Sequence, residues 1–284
     1  MAAAAPSPST KRWRTIALLL AVALVGLIIF DGADRKPADP SRPLVRHDGS
    51  LPVCNRDTLR IVSFNIHSGK GDDNVVDLRR TAQVLGAGSF DFANLNEVRS
   101  LVINEIGNSQ ADGICMSCGY CDSIFVPTET HWWREHFGNA ILTNCKLGPV
   151  QRIPLPGTRG KAFRNLVLTD LPWRDRTVKI LSTHLDREDD RETQLKLAIA
   201  LFLSLEPPAV LMGDLNTTID DPQLIALRNR PDVASPLHDV LGDDLPADNI
   251  DWIFTRGLRT VSAELVENAA SDHPVLRAEL ALPE

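Results

Sequence analysis

Apolar positions fall into three regimes along the chain. Residues 16–30 are apolar throughout apart from Gly26 and carry no charge. Residues 31–58 show no period and are broken by Pro37, Pro40, Pro43 and Pro52, as in a solvated tether. From residue 59 onward, short β-branched runs alternate with stretches of helical period and turn residues. The runs predict strands over 59–66, 92–95, 123–126, 140–142, 163–169, 178–182, 209–212, 250–255 and 275–280. Helices are predicted over 74–85, ended near Gly86 and Gly88, and over 101–106, 187–205 and 222–228. In the third of these, Leu195, Ala198, Ile199, Phe202 and Leu203 share one face, and Pro207 and Pro208 stop it. Strands outnumber helices and helices insert between them, so packed sheets with outer helices are expected. No internal repeat is visible.

The first regime has a membrane chemistry. Lys11, Arg12 and Arg14 precede the apolar run, which predicts a cytoplasmic N-terminus and a translocated C-terminal domain. Fifteen apolar residues are few for about 30 Å of hydrocarbon, but Trp13 and Thr15 extend the run at the interface. A cleaved signal peptide is the rival, and Asp31-Gly32-Ala33 makes a poor cleavage site for it. A buried helix of the globular domain is a further alternative. The expected organisation is a cytoplasmic segment (1–14), a transmembrane signal-anchor (15–31), a flexible proline-rich linker (32–57) and a single-pass protein's periplasmic or extracellular domain (58–284).

Composition narrows the domain's partners. Of 284 residues, 43% are hydrophobic and 24% charged, enough for a packed core and unlike a disordered chain. A net charge of −7 excludes the basic surface that attracts nucleic acid indiscriminately. It leaves room for an anionic substrate met by a local basic rim and a bound metal. Arg152, Arg159, Lys161, Arg164, Arg174, Arg176 and Lys179 form such a basic stretch, either a phosphate entrance or a solvated hairpin. Trp132 and Trp133 either stack on a ligand or pack beneath their loop. The five cysteines are Cys54, Cys115, Cys118, Cys121 and Cys145. Outside the cytoplasm one or two disulfides are permitted, and an odd count leaves a thiol over. Inert thiols, or a metal cluster completed by Cys54 or Cys145, remain open.

Chemistry collects where predicted strands end: at Asn65, Glu97, His184-Leu-Asp186, Asp214-Leu-Asn216, Asp251 and Asp272-His273. Each alone reads as a turn, a cap or a structural histidine. Six in one chain are hard to place as independent turns. Converging carboxylates would repel one another without a cation, and a histidine beside a carboxylate serves as acid or base.

The ordered pieces Ile61-Val-Ser-Phe-Asn65-Ile, Leu95-Asn-Glu97-Val, Gly138-Asn-Ala-Ile-Leu142, Ser182-Thr-His184-Leu-Asp186, Gly213-Asp214-Leu-Asn216, Ile250-Asp251-Trp-Ile-Phe254 and Ser271-Asp272-His273-Pro-Val275 resemble the endonuclease/exonuclease/phosphatase superfamily. The superfamily includes deoxyribonucleases, sphingomyelinases and inositol phosphatases. The resemblance spans 59–280 and implies a four-layer α/β sandwich with two central mixed β-sheets and outer helices. It implies a Mg2+-dependent phosphoric ester hydrolase, with Mn2+ as a substitute. Glu97 would be the principal metal ligand, with Asn65 and Asp272 beside it. Asp214 and Asn216 would orient the nucleophile or leaving group. His273, oriented by Asp251, would be the general base, and His184 would bind the scissile phosphate. Arg159, or else Arg164, would hold a phosphate oxygen. Two departures stand out. Asn96 occupies a place where the family usually has glutamine, and Asn139 stands near a glutamate of the deoxyribonuclease type. The expected substrate is a phosphodiester, either DNA or RNA or a phospholipid headgroup. The expected partner besides substrate is the membrane, through the N-terminal helix, with no protein partner. A membrane-tethered, non-catalytic binding module of the same fold is the alternative.

Overall fold

The computed structural model describes residues 8–33, 36–42, 44, 51–86, 90–100, 109–119, 121–131, 136–157 and 163–283. The predicted helix at 101–106, Trp132, Trp133, Arg159 and Lys161 lie outside them.

Two mixed sheets form the centre. The first is built from β1 (Lys36–Pro37), β2 (Leu59–Asn65), β3 (Phe92–Ser100), β4 (Asp122–Thr130), β5 (His136–Thr143), β11 (Arg259–Val266) and β12 (Val275–Ala281), in the order β1-β4-β5-β3-β2-β12-β11. The second is built from β6 (Val150–Pro154), β7 (Asn165–Trp173), β8 (Arg176–His184), β9 (Ala209–Asp214) and β10 (Asp251–Arg256), in the order β10-β9-β8-β7-β6. In each, one parallel pair (β2 with β3, β8 with β9) sits among antiparallel neighbours.

Side-chain alternation along the strands creates the layers. Leu59, Ile61, Phe92, Val178, Ile180, Val210, Met212 and Ile253 enter one core between the sheets. The intervening Val62, Phe64, Ala93 and Leu95 face outward onto α2 (Leu78–Leu85) and α3 (Gln110–Cys118). On the second sheet, Leu181, Ala209, Leu211, Trp252 and Phe254 face α4 (Arg191–Ser204) and α5 (Pro222–Arg228). Burial on both faces explains why these strands read as continuous apolar runs. The predicted face of α4 is the packed one: Leu195, Ala198 and Phe202 are fully buried, with Ile199 and Leu203 against the same core. A further helix, α6 (Pro236–Leu241), lies against β11 and β10.

Several elements differ from their predicted extents. The helix expected over 74–85 begins only at Leu78, because the Asp77 carboxylate caps it by accepting from the Arg79 N–H. The helix expected over 187–205 begins at Arg191. β6, β11, α3 and α6 were not expected. β11 is an edge strand with mostly exposed side chains, so it lacks the apolar run that marked its neighbours.

The cysteines form two disulfides, Cys54–Cys145 and Cys115–Cys121, and buried Cys118 is the free cysteine among the described residues. The first closes a loop of 91 residues. α1 (Pro8–Ala33) is one 26-residue helix containing the whole apolar run. Its described side chains, 12–27, are all exposed. Among the described residues no helix is long and apolar enough to cross a membrane.

The stretch expected as a flexible linker makes specific contacts. Lys36 and Pro37 pair with Thr130 and Glu129 of β4, and the Ala38 N–H donates to the Thr128 carbonyl at 2.9 Å. Farther on, Cys54 is held by its disulfide and bridges to Trp173.

Candidate active site

The inward positions of seven strands grade from apolar to polar toward the same end of the sandwich. They read Leu59-Ile61-Ser63-Asn65 in β2, Phe92-Asn94-Asn96 in β3, Ile141 then Asn139 in β5, Val167 then Asn165 in β7, Val178-Ile180-Ser182-His184 in β8, Val210-Met212-Asp214 in β9 and Ile253 then Asp251 in β10. Register brings the ends level. Asn65 is opposite Asn96, and Asp214 is opposite both His184 and Asp251. Gly213 has φ 137°, and a Cβ there would lie 1.9 Å from the Thr183 carbonyl oxygen. Only glycine therefore lets β9 approach β8 this closely just before Asp214.

Four buried asparagines join the sheets at this end. Asn94 donates to Asn96 (3.2 Å), Asn96 to Asn139 (2.9 Å), Asn139 to Asn165 (3.4 Å), and Asn165 to the Pro127 carbonyl (3.0 Å). Asn96 also donates to the Thr183 carbonyl and accepts from the Asp214 N–H, both at 3.1 Å. Asn139, which replaces an expected acid, thus belongs to a structural amide chain. The sequence carried a signal for it in asparagines 94 and 96, which alternate with Ala93 and Leu95 at a period of two.

Asp214 is the hub. Its Oδ2 lies 3.0 Å from Asn65 Nδ2, 3.4 Å from His184 Nε2 and 3.9 Å from His273 Nε2. Its Oδ1 accepts from the Asn216 N–H at 2.8 Å. Burial, with Asp251 alongside, pushes the Asp214 carboxyl up to about 7. His273 places Nδ1 2.6 Å from Asp251 Oδ2. Burial opposes its protonation, but the bond to Asp251 and the charges of Asp251, Asp214 and Asp272 prevail and bring it to about 9.

His184 is 2% exposed and has a different neighbour. Arg164 places Nη1 3.0 Å from its Nδ1. A guanidinium has only donors, so Nδ1 accepts and Nε2 carries the proton. Burial and then the Arg164 charge hold His184 well below the usual histidine range. The Arg164 guanidinium is itself lowered by burial while Asp214, Glu97 and Asp186 raise it.

Glu97 sits in a bulge of β3, where the pairing with β5 shifts between Leu95 and Val98. Its φ is 59°, a conformation that costs a non-glycine residue energy and recurs at functional sites. Asn65 Nδ2 lies 3.4 Å from its carboxylate. Glu97 borders a cleft of about 560 Å³ lined also by His67, Lys70, Arg99, His131 and Phe137. Asp272 is half-exposed and turned toward His67, at 3.3 Å. Asn216 turns its amide N–H to the Leu185 carbonyl at 2.9 Å. The structure thus brings Asn65, Glu97, His184, Asp214, Asp251, His273 and Arg164 together, with Asp272 and Asn216 at the margin. His67 and Arg99 were not expected there.

The model of the Endonuclease/Exonuclease/phosphatase family matches residues 62–273. The chain belongs to this family. No curated protein matches it. Solved structures share its fold. An endonuclease/exonuclease/phosphatase from Beutenbergia cavernae DSM 12333 is 22% identical, with TM-score 0.64 over 80% of this chain and 72% of that one. The human Nocturnin catalytic domain, with bound sulfate anion, is 17% identical (TM-score 0.59; 85% and 100% covered). D. rerio TDP2 complexed with single strand DNA product is 15% identical (TM-score 0.60; 79% and 99% covered). Family members hydrolyse phosphoester bonds, which accords with the two histidines and converging carboxylates.

Proposed function

We propose that the protein is a metal-dependent phosphodiesterase, anchored in a membrane by α1 with its catalytic domain outside the cytoplasm. The observation that carries the catalytic reading is the His273–Asp251 pair at 2.6 Å, facing the same Asp214 oxygen as His184. Asp251 holds the His273 ring with Nε2 toward the centre, where its neutral form takes a proton from water; because Asp251 favours the imidazolium up to about 9, activity should rise with pH above neutrality. The resulting imidazolium is stabilised by Asp251. His184 offers its Nε2–H to a phosphate oxygen, and Arg164 keeps that tautomer and adds positive charge behind it. Asp214 and Asn216 orient the attacking or leaving oxygen.

The residues fit a hard divalent cation. Burial and then Asp251 raise the Asp214 carboxyl to about 7, and Asp251 Oδ1 is buried without a hydrogen-bond partner. Asp214, Asp251 and His273 offer ligand-type atoms within 4.8 Å of one another. Two of the three already share a short hydrogen bond, so we assign that trio to proton transfer. Mg2+ or Mn2+ is assigned to Glu97 with Asn65 and Asp272. When bound, the cation supplies Lewis acidity at the phosphoryl oxygen.

Anchoring is supported by the basic flank before the apolar run and by the exposure of α1, with Leu18, Leu19, Leu20, Val22 and Leu24 all near 60% or more. The described side chains stop at Leu27, while the sequence stays apolar through Ile28, Ile29 and Phe30. The function is tested by incubating the protein with plasmid DNA, RNA, phospholipids and a chromogenic phosphodiester, with magnesium or with chelator. Magnesium-dependent cleavage is expected. Silence throughout, with Glu97→Ala indistinguishable from wild type, would favour a non-catalytic binding module.

A further inference from the structure

The chain enters the domain at the end where the polar strand ends gather. β1 runs antiparallel to β4, with Lys36 opposite Thr130, one residue before the cleft-lining His131. The attachment is built rather than incidental. Ala38 is buried, and Arg152, 9% exposed, donates to the Asp39 and Pro127 carbonyls and so clamps β1 to its neighbours. Three residue steps separate Ala33, the last residue of α1, from Lys36. They span at most about 11 Å.

We propose that this docking pins the cleft to the membrane that holds α1, and that the substrate is a phosphodiester lipid of that same membrane. The inference rests on the anchored-hydrolase reading above. With so short a connection between α1 and β1, the cleft beside β1 is held close to the headgroup layer. A cleft of about 560 Å³ has room for one phosphodiester headgroup. Lys70 and Arg99 supply positive charge beside Glu97, and Phe137 and Val76 supply apolar wall.

The charge distribution disfavours nucleic acid. The chain's net charge is −7, and of its basic stretch Arg164 is buried against His184 in the site while four other members are engaged or lie elsewhere. Arg152 clamps β1, Lys179 pairs with Asp170 at 2.8 Å and Arg174 with Asp57 at 3.4 Å. Arg176 begins β8 while His184 ends it, which puts it about 26 Å from the site. In the reaction, the water oxygen bonds to phosphorus, one P–O ester bond breaks, and the leaving oxygen takes up a proton. The products are an alcohol and a phosphomonoester.

The test uses the full chain reconstituted in phosphatidylcholine vesicles carrying phosphatidylglycerol, phosphatidylinositol or sphingomyelin. It compares wild type with a variant bearing a flexible Gly-Ser insert of about 30 residues between Ala33 and Asp34, which adds roughly 30 Å of reach. We expect hydrolysis of a vesicle lipid to fall about 5- to 10-fold in the variant as effective concentration drops. Hydrolysis of soluble bis(4-nitrophenyl) phosphate should be unchanged, which also shows that the variant folds. Equal lipid hydrolysis by both forms would overturn the pinning. Cleavage of DNA or RNA with no lipid hydrolysed would overturn the substrate class. If wild type leaves even the soluble diester intact, the hydrolase reading fails first and this inference with it. A chain that washes off the vesicles overturns the anchor and the pinning together, while leaving the hydrolase reading standing if the soluble diester is cleaved.

Discussion

At the scale of single residues, the site is defined by who faces each histidine. Burial and then Arg164 lower His184, while Asp251 outweighs burial and raises His273, so two imidazoles of one site are driven in opposite directions. His273→Ala should lower kcat by roughly 10²–10⁴-fold with near-UV circular dichroism unchanged. Arg164→Ala should also slow turnover, because it frees the His184 tautomer. Stability without metal should depend on pH in a defined sense. Both Asp214 (to about 7) and His273 (to about 9) are raised above their ordinary values. A raised group contributes stability that is full below its unfolded pKa, about 4 for Asp and 6.5 for His, and lost as pH rises through the folded value. His184, lowered instead, gains stability as pH rises to about 6.5 and offsets Asp214 there, so in chelator Tm should fall most clearly between about pH 6.5 and 9. Added Mg2+ should raise Tm more at pH 8 than at pH 5, because the carboxylates are then ionised and uncompensated. An equal shift at both pH values would count against a cation among these acids. The convergence of Asn65, Glu97, His184, Asp214, Asp251 and His273 was legible because each lies at or beside an end of a predicted strand. The partnership of Arg164 with His184 was not, since it joins β8 to a loop residue twenty positions earlier.

At the scale of elements, the asparagine chain holds the two sheets in register beneath the site. Asn96→Leu removes the acceptor of the Asp214 N–H and the donor to the Asn139 amide oxygen and to the Thr183 carbonyl. It should cost about 3 kcal/mol or more, since each buried unsatisfied group costs about 1–3 kcal/mol; urea denaturation measures it. Strands buried on both faces were readable from their apolar runs, and α4 from its period. β11 was not, because an edge strand owes its place to pairing with β12 rather than to a buried face of its own. β1 was hidden for a related reason. Two residues, one of them proline, carry no pattern, and only the β4 edge gives them a structure. The Cys54–Cys145 pairing joins segments 91 positions apart, which spacing alone does not reveal. Replacing both cysteines by serine should destabilise the domain by roughly 4 kcal/mol through the freed unfolded chain, read as a lowered urea midpoint.

At the scale of the whole molecule, a domain of two facing sheets gathers its chemistry at one end, and the N-terminal segment arrives at that end. The fold class and the family motifs were legible from sequence. The position of the N-terminal segment was not, because it depends on which sheet edge is open. A reporter fused after Glu284 should be active only in the extracytoplasmic compartment; activity in the cytoplasm would reverse the topology. The measurement that tests the central claim most directly is hydrolysis of bis(4-nitrophenyl) phosphate by wild type, Glu97→Ala and His273→Ala, each with magnesium and with chelator. The account predicts turnover only for wild type with magnesium. Turnover in chelator, or equal turnover in both variants, would contradict it.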